Sequence, residues 1–156
     1  MTENAYRLAA VASLNDVSNS KIDANRSGKL GSRISMRSDV DLVDFTAADN
    51  YLILEINARI DYANVPPSTP SEQIEPESLF PDGRGDIGYV KLTTEATFRL
   101  PEDFDDVEID EESVRSFYDT SALFIVYPYI RSAVEGVSNM MSLPRTTLPL
   151  LKRDIE

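Results

Sequence analysis

The sequence predicts an α+β domain: an antiparallel sheet with one face covered by a C-terminal helical region. Three observations predict it. Three segments between residues 33 and 100 alternate apolar and polar residues with period two, the pattern of half-buried strands. Apolar residues between 123 and 141 recur instead at spacings of three and four, the helical period. At 156 residues the chain is long enough for one core and one domain spanning 1–156.

Taken in order, the Ala-rich opening "ENAYRLAAVASL" reads as a short helix with Leu8 and Val11 on one side. "LNDVSNSKIDAN" follows as a weak first strand, polar enough to lie at a sheet edge. In "RISMRSDVDL" the even positions carry Ile34, Met36, Val40 and Leu42, and the odd ones Arg33, Ser35, Arg37, Asp39 and Asp41. "FTAADN", Phe45 to Asn50, is a hairpin connection into "YLILEINARIDY", where Leu52, Leu54, Ile56, Ala58, Ile60 and Tyr62 oppose Glu55, Asn57, Arg59 and Asp61. The last such strand is "YVKLTTEATFRL", with Val90, Leu92, Ala96, Phe98 and Leu100 against Lys91, Glu95 and Arg99. One apolar and one wet face per strand describes an antiparallel sheet covered on a single side.

Residues 64–87, "NVPPSTPSEQIEPESLFPDGRGDI", hold five of the nine prolines, so they read as a long mobile connection without ladder or helix, docked locally by Leu79 and Phe80. Residues 101–112, "PEDFDDVEIDEE", place eight carboxylates in twelve positions. Asp110 is a good N-cap, and Glu111 and Glu112 suit a first helical turn, where the dipole favours anions. In the helical region Leu123, Tyr127, Ile130, Val134, Val137 and Met141 form a heptad-like seam. The sheet covers part of that sector and no second long helix is in sight. The seam residues Leu123, Ile130, Val134 and Val137 are therefore the expected interface for self-association. Pro128 either kinks the helix or opens a new one at its first position. Beyond Met141, Pro144 and Pro149 end regular helix and leave Leu143, Leu148, Leu150 and Leu151 on an irregular apolar strip.

Composition narrows the function. Net charge is −12, so nucleic acid and anionic membranes are not natural partners. Cys and His are both absent, which removes disulfides, thiolate metal sites and the commonest general base. No catalytic site, metal site or cofactor is expected. No run suits a membrane span, and the first ten residues, with Glu3 and no basic region, do not read as a signal peptide; a cytoplasmic protein is the expectation. "GRGDIG" at 83–88 matches a dinucleotide fingerprint but follows a Pro-rich loop and precedes a strand, the wrong context. A calcium loop opening at Asp103 would put Glu108 where Gly is required and Val114 at the last ligand.

"LFIVYPYIRSAVEGVSNMMSLPRTTLPLL" resembles the signature of the SecB family of bacterial export chaperones. The resemblance rests on Tyr127, Pro128, Tyr129 and Arg131, then on Leu143, Pro144, Leu148 and Pro149. It implies a four-stranded α+β subunit assembling as a dimer of dimers, without ATP or cofactor, that holds non-native polypeptides in apolar grooves. The clients are secretory precursors in one branch of the family, handed to an export motor ATPase, and an antitoxin in another. Two departures favour an atypical member. The sequence closes on "LLKRDIE" without room for a second helix, and the wet face mixes Arg33, Arg37, Arg59, Lys91 and Arg99 with its acids. Side chains that a lone subunit is not expected to bury are the client-contact candidates: Phe45, Phe98, Tyr127, Met140, Met141, Leu143, Leu148 and Leu151. Core or interface packing is the alternative for each. A dedicated adaptor with one partner is the alternative for the whole chain.

Overall fold

The computed structural model describes residues 3–104 and 109–144. A helix α1 (Glu3–Val11) leads into strand β1 (Ser13–Arg26), followed by β2 (Ile34–Ala48) and β3 (Tyr51–Asn64). A short helix α2 (Pro76–Leu79), flanked by 3₁₀ turns at Ser71–Gln73 and Pro81–Gly83, precedes β4 (Gly88–Arg99). The four strands form one antiparallel sheet in the order β1-β4-β3-β2. Helix α3 (Glu111–Phe117), a π turn (Tyr118–Ala122) and helix α4 (Leu123–Met140) complete the described chain.

The alternating strands form as expected, with one shift. A bulge between Leu42 and Asp44 makes Val43 an extra residue, so Phe45 and Ala47 pair with Leu54 and Leu52 on the apolar face. Phe45–Ala48 thus belong to β2. The hairpin shrinks to Asp49 and Asn50, whose φ of 52° and 62° is what a tight two-residue turn requires. The edge strand β1 carries two bulges, between Leu14 and Asp16 and between Asn19 and Lys21, which break its alternation. Of the two helix residues expected to face inward, Leu8 is buried and Val11 is exposed.

Because β1 and β2 lie at opposite edges, the link between them crosses the end of the sheet. It is pinned there: Ser27 and Gly28 N–H donate to the Ile87 carbonyl, and Gly31 N–H donates to Asn64 Oδ1. A side chain at Gly28 would collide with the Asp86 carbonyl, so the close crossing depends on glycine. The Pro-rich segment does contain helix, contrary to expectation. Pro76 opens α2, a position where its missing N–H has no intrahelical partner to lose. Phe80 is buried, as the segment's docking side chain.

Asp110 caps α3, its carboxylate accepting from Ser113 N–H at 2.7 Å. Pro128 lies inside α4, with its helix already begun at Leu123, so it does not open a new one. α4 packs across β4 and β1. Its inward side, Val126, Ile130, Val134 and Val137, is buried in one core with the apolar faces of β3 and β4. Tyr62 and Ser138, both buried, share a hydrogen bond of 2.9 Å between β3 and α4, and Ser138 Oγ donates to the Val134 carbonyl at 2.7 Å.

Candidate functional site

The sheet is not covered evenly. Over β3 and β4 every apolar-face side chain from Leu52 to Tyr62 and from Val90 to Phe98 is buried. Over β2, Ile34, Val40, Phe45 and Ala47 are only half-buried, and Met36 stays 44% exposed. The long helix α4 rests on the same face but over β4 and β1, so this row is left partly open, bordered by the unpaired outer edge of β2. A cleft of about 360 Å³ opens at its start, between Ser35, Met36 and Arg37 of β2 and Pro76, Glu77 and Phe80 around α2. Midway, Tyr118 reaches from the π turn toward the Val40 carbonyl at 3.4 Å. Burial, helped by the charges of Asp41 and Asp119, pushes the Tyr118 hydroxyl well above the usual phenol range, so it remains a donor. A half-covered apolar row beside a free strand edge can take an extended polypeptide. Main-chain pairing would supply affinity, and alternate side chains would enter the row.

A second apolar surface lies on the outer side of α4. Ile125, Tyr129 and Met140 are 42%, 53% and 77% exposed, and Pro128, Ser132 and Gly136 between them are exposed as well. In a chain of net charge −12 this stripe carries no charge. Nothing stands where a Gly136 side chain would be, so another helix can approach closely. Tyr129 also lines a cleft of about 260 Å³ with Leu14, Asn15, Asp16 and Val17 of β1.

The wet face is more ordered than its mixed composition suggested. The register sets Glu95, Glu55 and Asp44 side by side across β4, β3 and β2. Two rungs further on, Lys91 and Arg59 stand together between Asp23 and Asp39. Next to them the buried Asp61 carboxylate accepts from Arg59 at 2.7 Å and from Gly85 N–H at 3.2 Å. The Arg59 guanidinium lies 4.5 Å from the Tyr89 ring centre. Its hydrogen bonds to Asp61 outweigh desolvation and raise its pKa further. This cluster fastens the end of the Pro-rich segment to β3. Among the described residues no group of acids is arranged to hold a metal ion, and no helix is long and apolar enough to cross a membrane.

The candidates named from sequence do not share one surface. Phe45 lies in the β2 row, and Met140 is at the end of the outer α4 stripe. Met141 is half-buried at the helix end. Phe98, Tyr127 and Leu143 are core residues, with Phe98 wholly enclosed and edge-on to Phe117 at 5.3 Å. The expectation that one chain cannot bury them does not hold, because α1, α3 and α4 together close that part of the sheet. Leu148 and Leu151 lie outside the described residues. The seam fares likewise: Ile130 and Val134 are wholly buried and Val137 nearly so, against the chain's own sheet, while Leu123 is half-buried. Met36 was visible in the strand alternation, but the sequence did not show that it would stay uncovered. Ile125 and Tyr129 were missed because the helical stretch is apolar on both sides.

No family model matches the sequence, and no curated protein matches it. Among solved structures the fold is similar to that of Mycobacterium tuberculosis Rv1957, a SecB-like chaperone in complex with a ChAD peptide from the Rv1956 HigA1 antitoxin. The TM-score is 0.74 at 19% identity, over 99% of this chain and 100% of that one. Together with the β1-β4-β3-β2 sheet and its single helical cover, the match makes this an α+β chain with the SecB-like chaperone fold.

Proposed function

We propose that this protein is an ATP-independent SecB-like chaperone of the cytoplasm that holds unfolded polypeptides against aggregation. The observation that carries the reading is the half-covered row Ile34, Met36, Val40 and Phe45 beside the free edge of β2. An apolar face left open next to unpaired main chain is costly unless a polypeptide occupies it. The similarly folded Rv1957 was solved with an antitoxin peptide bound, which favours an antitoxin as the client over secretory precursors. The row of Glu95, Glu55 and Asp44 on the opposite face leaves a docking place for the basic surface of an export motor, should precursors be the cargo. The chain works as a homo-oligomer, a dimer of dimers, whose copies meet through the uncharged outer stripe of α4 and not through Ile130 and Val134.

The test is suppression of aggregation. At near-equimolar amounts the protein should keep two unrelated, thermally unfolding proteins in solution, and Met36→Asp should weaken that protection several-fold. Protection of neither client removes the holdase. Protection of a single cognate partner alone leaves the adaptor as the function.

A further inference from the structure

Helix α1 packs on the core beside α3 and Phe104. Its Ala5 and Leu8 are wholly buried, and Leu8 belongs to the same core as Phe98, Phe104 and Phe117. α1 packs against α3, and the exposed Arg7 sets its guanidinium 5.3 Å from the Phe104 ring centre. Yet α1 has only nine residues, too few for a helix to persist without its docking, and Tyr6 on its outer side is 62% exposed. The place it fills therefore offers what a polypeptide segment needs: room for a buried leucine in a core that includes aromatic rings, and a ring facing a cation. Around Phe104 and the start of α3, Glu102, Asp103, Asp110, Glu111 and Glu112 are all acidic, which complements a basic segment.

We propose that α1 is a displaceable lid over a second client subsite, and that this subsite takes a client segment with a large aliphatic residue next to Arg or Lys. The proposal rests on the holdase reading and deepens it. α1 is the built-in model of the ligand: its Leu8 and adjacent Arg7 occupy the positions that a client leucine and cation would take. A lid closed most of the time lowers apparent client affinity by the fraction that is open. Loosening it should therefore tighten client binding, the reverse of what damage to a client-contacting element would do.

Two measurements test this on the full chain, using a reduced, carboxymethylated and thus permanently unfolded protein as the client. The sequence has no Cys, so a nitroxide on Tyr6→Cys reports α1 alone. Client addition should make that label mobile and leave a control label on Glu95→Cys, on the wet face of the interior strand β4, unchanged. In the second measurement Leu8→Ser should bind the client about tenfold tighter, as expected if about a tenth of the parent is open. Arg7→Ala, an exposed change that leaves the core filled, should move the same way by about threefold. Thermal melts show that each variant is folded. A label that stays immobile while the parent holds client, or folded variants that bind no tighter than the parent, overturns the lid and leaves the holdase standing. A parent and variants that all bind nothing overturn both.

Discussion

The polar side chains that matter most to the fold are those with fixed partners inside it. Ser138 ties one end of α4 to Tyr62 and to its own helix, wholly out of water. Ser138→Ala should cost about 1 kcal/mol, read as a melting temperature lower by about 2–4 °C. Arg59 and Asp61 differ from Arg37 and Asp39 in burial. The first pair closes at 2.7 Å with the Asp61 side chain 5% exposed, and the second spans 3.9 Å in solvent. Arg59→Ala should therefore destabilise by about 2 kcal/mol, less than a fully buried pair would because Arg59 itself is partly solvated. Arg37→Ala should cost less than about 1 kcal/mol, and denaturant midpoints separate the two. At the N-cap, the Ser113 hydroxyl and then its N–H hold the Asp110 carboxyl below the usual carboxylate range. A depressed pKa stabilises the fold at pH above the ordinary carboxylate value, and that contribution is lost as pH falls through the lower, folded value. Helical circular dichroism should therefore decline on acidification below about pH 4. Asp110→Asn, which keeps an acceptor without the charge, should flatten that dependence.

At the scale of elements, α4 has two apolar sides, one buried against the sheet and one exposed. Ile130→Asp places a charge in the closed core and should unfold the chain, at a cost of about 4 kcal/mol or more. Met140→Asp, on a side chain already in water, should leave the melting temperature nearly unchanged and shift the elution volume of the assembly. If both variants unfold, or if Met140→Asp elutes as the parent does, the outer stripe is not where copies meet. This duality is also why the sequence offered Ile130 and Val134 for self-association although the chain's own sheet buries them. Leu123, Tyr127, Ile130, Val134 and Val137 show that a seam exists, but no local pattern says whether a sheet or a second helix fills it. Strands β2, β3 and β4 were legible because half-buried strands write their faces into alternation. The strand β1 was faint because two bulges reset its parity and its residues are mostly polar. The one-residue bulge at Val43 likewise hid Phe45 in an apparent turn, although that residue belongs to the open apolar row. The cap at Asp110 was legible since capping is a local hydrogen bond. How α1 docks was not, because that depends on what lies beneath it.

Over the whole molecule, helices crowd β4 and β1 and leave β2 exposed at its edge. Asp39, Asp41 and Asp44 along β2, with the net charge of −12, keep that edge from pairing with its like in the free protein. An unfolded client brings its own main chain and apolar side chains and meets no such repulsion. The proposed function requires that this chain associate with copies of itself and, in that state, retain unfolded protein. Multi-angle light scattering on a sizing column, run with and without the carboxymethylated client, reads both at once. The proposed function predicts a mass of several chains for the protein alone and a heavier peak containing client after mixing. A peak of single-chain mass that is unchanged by the client would contradict it.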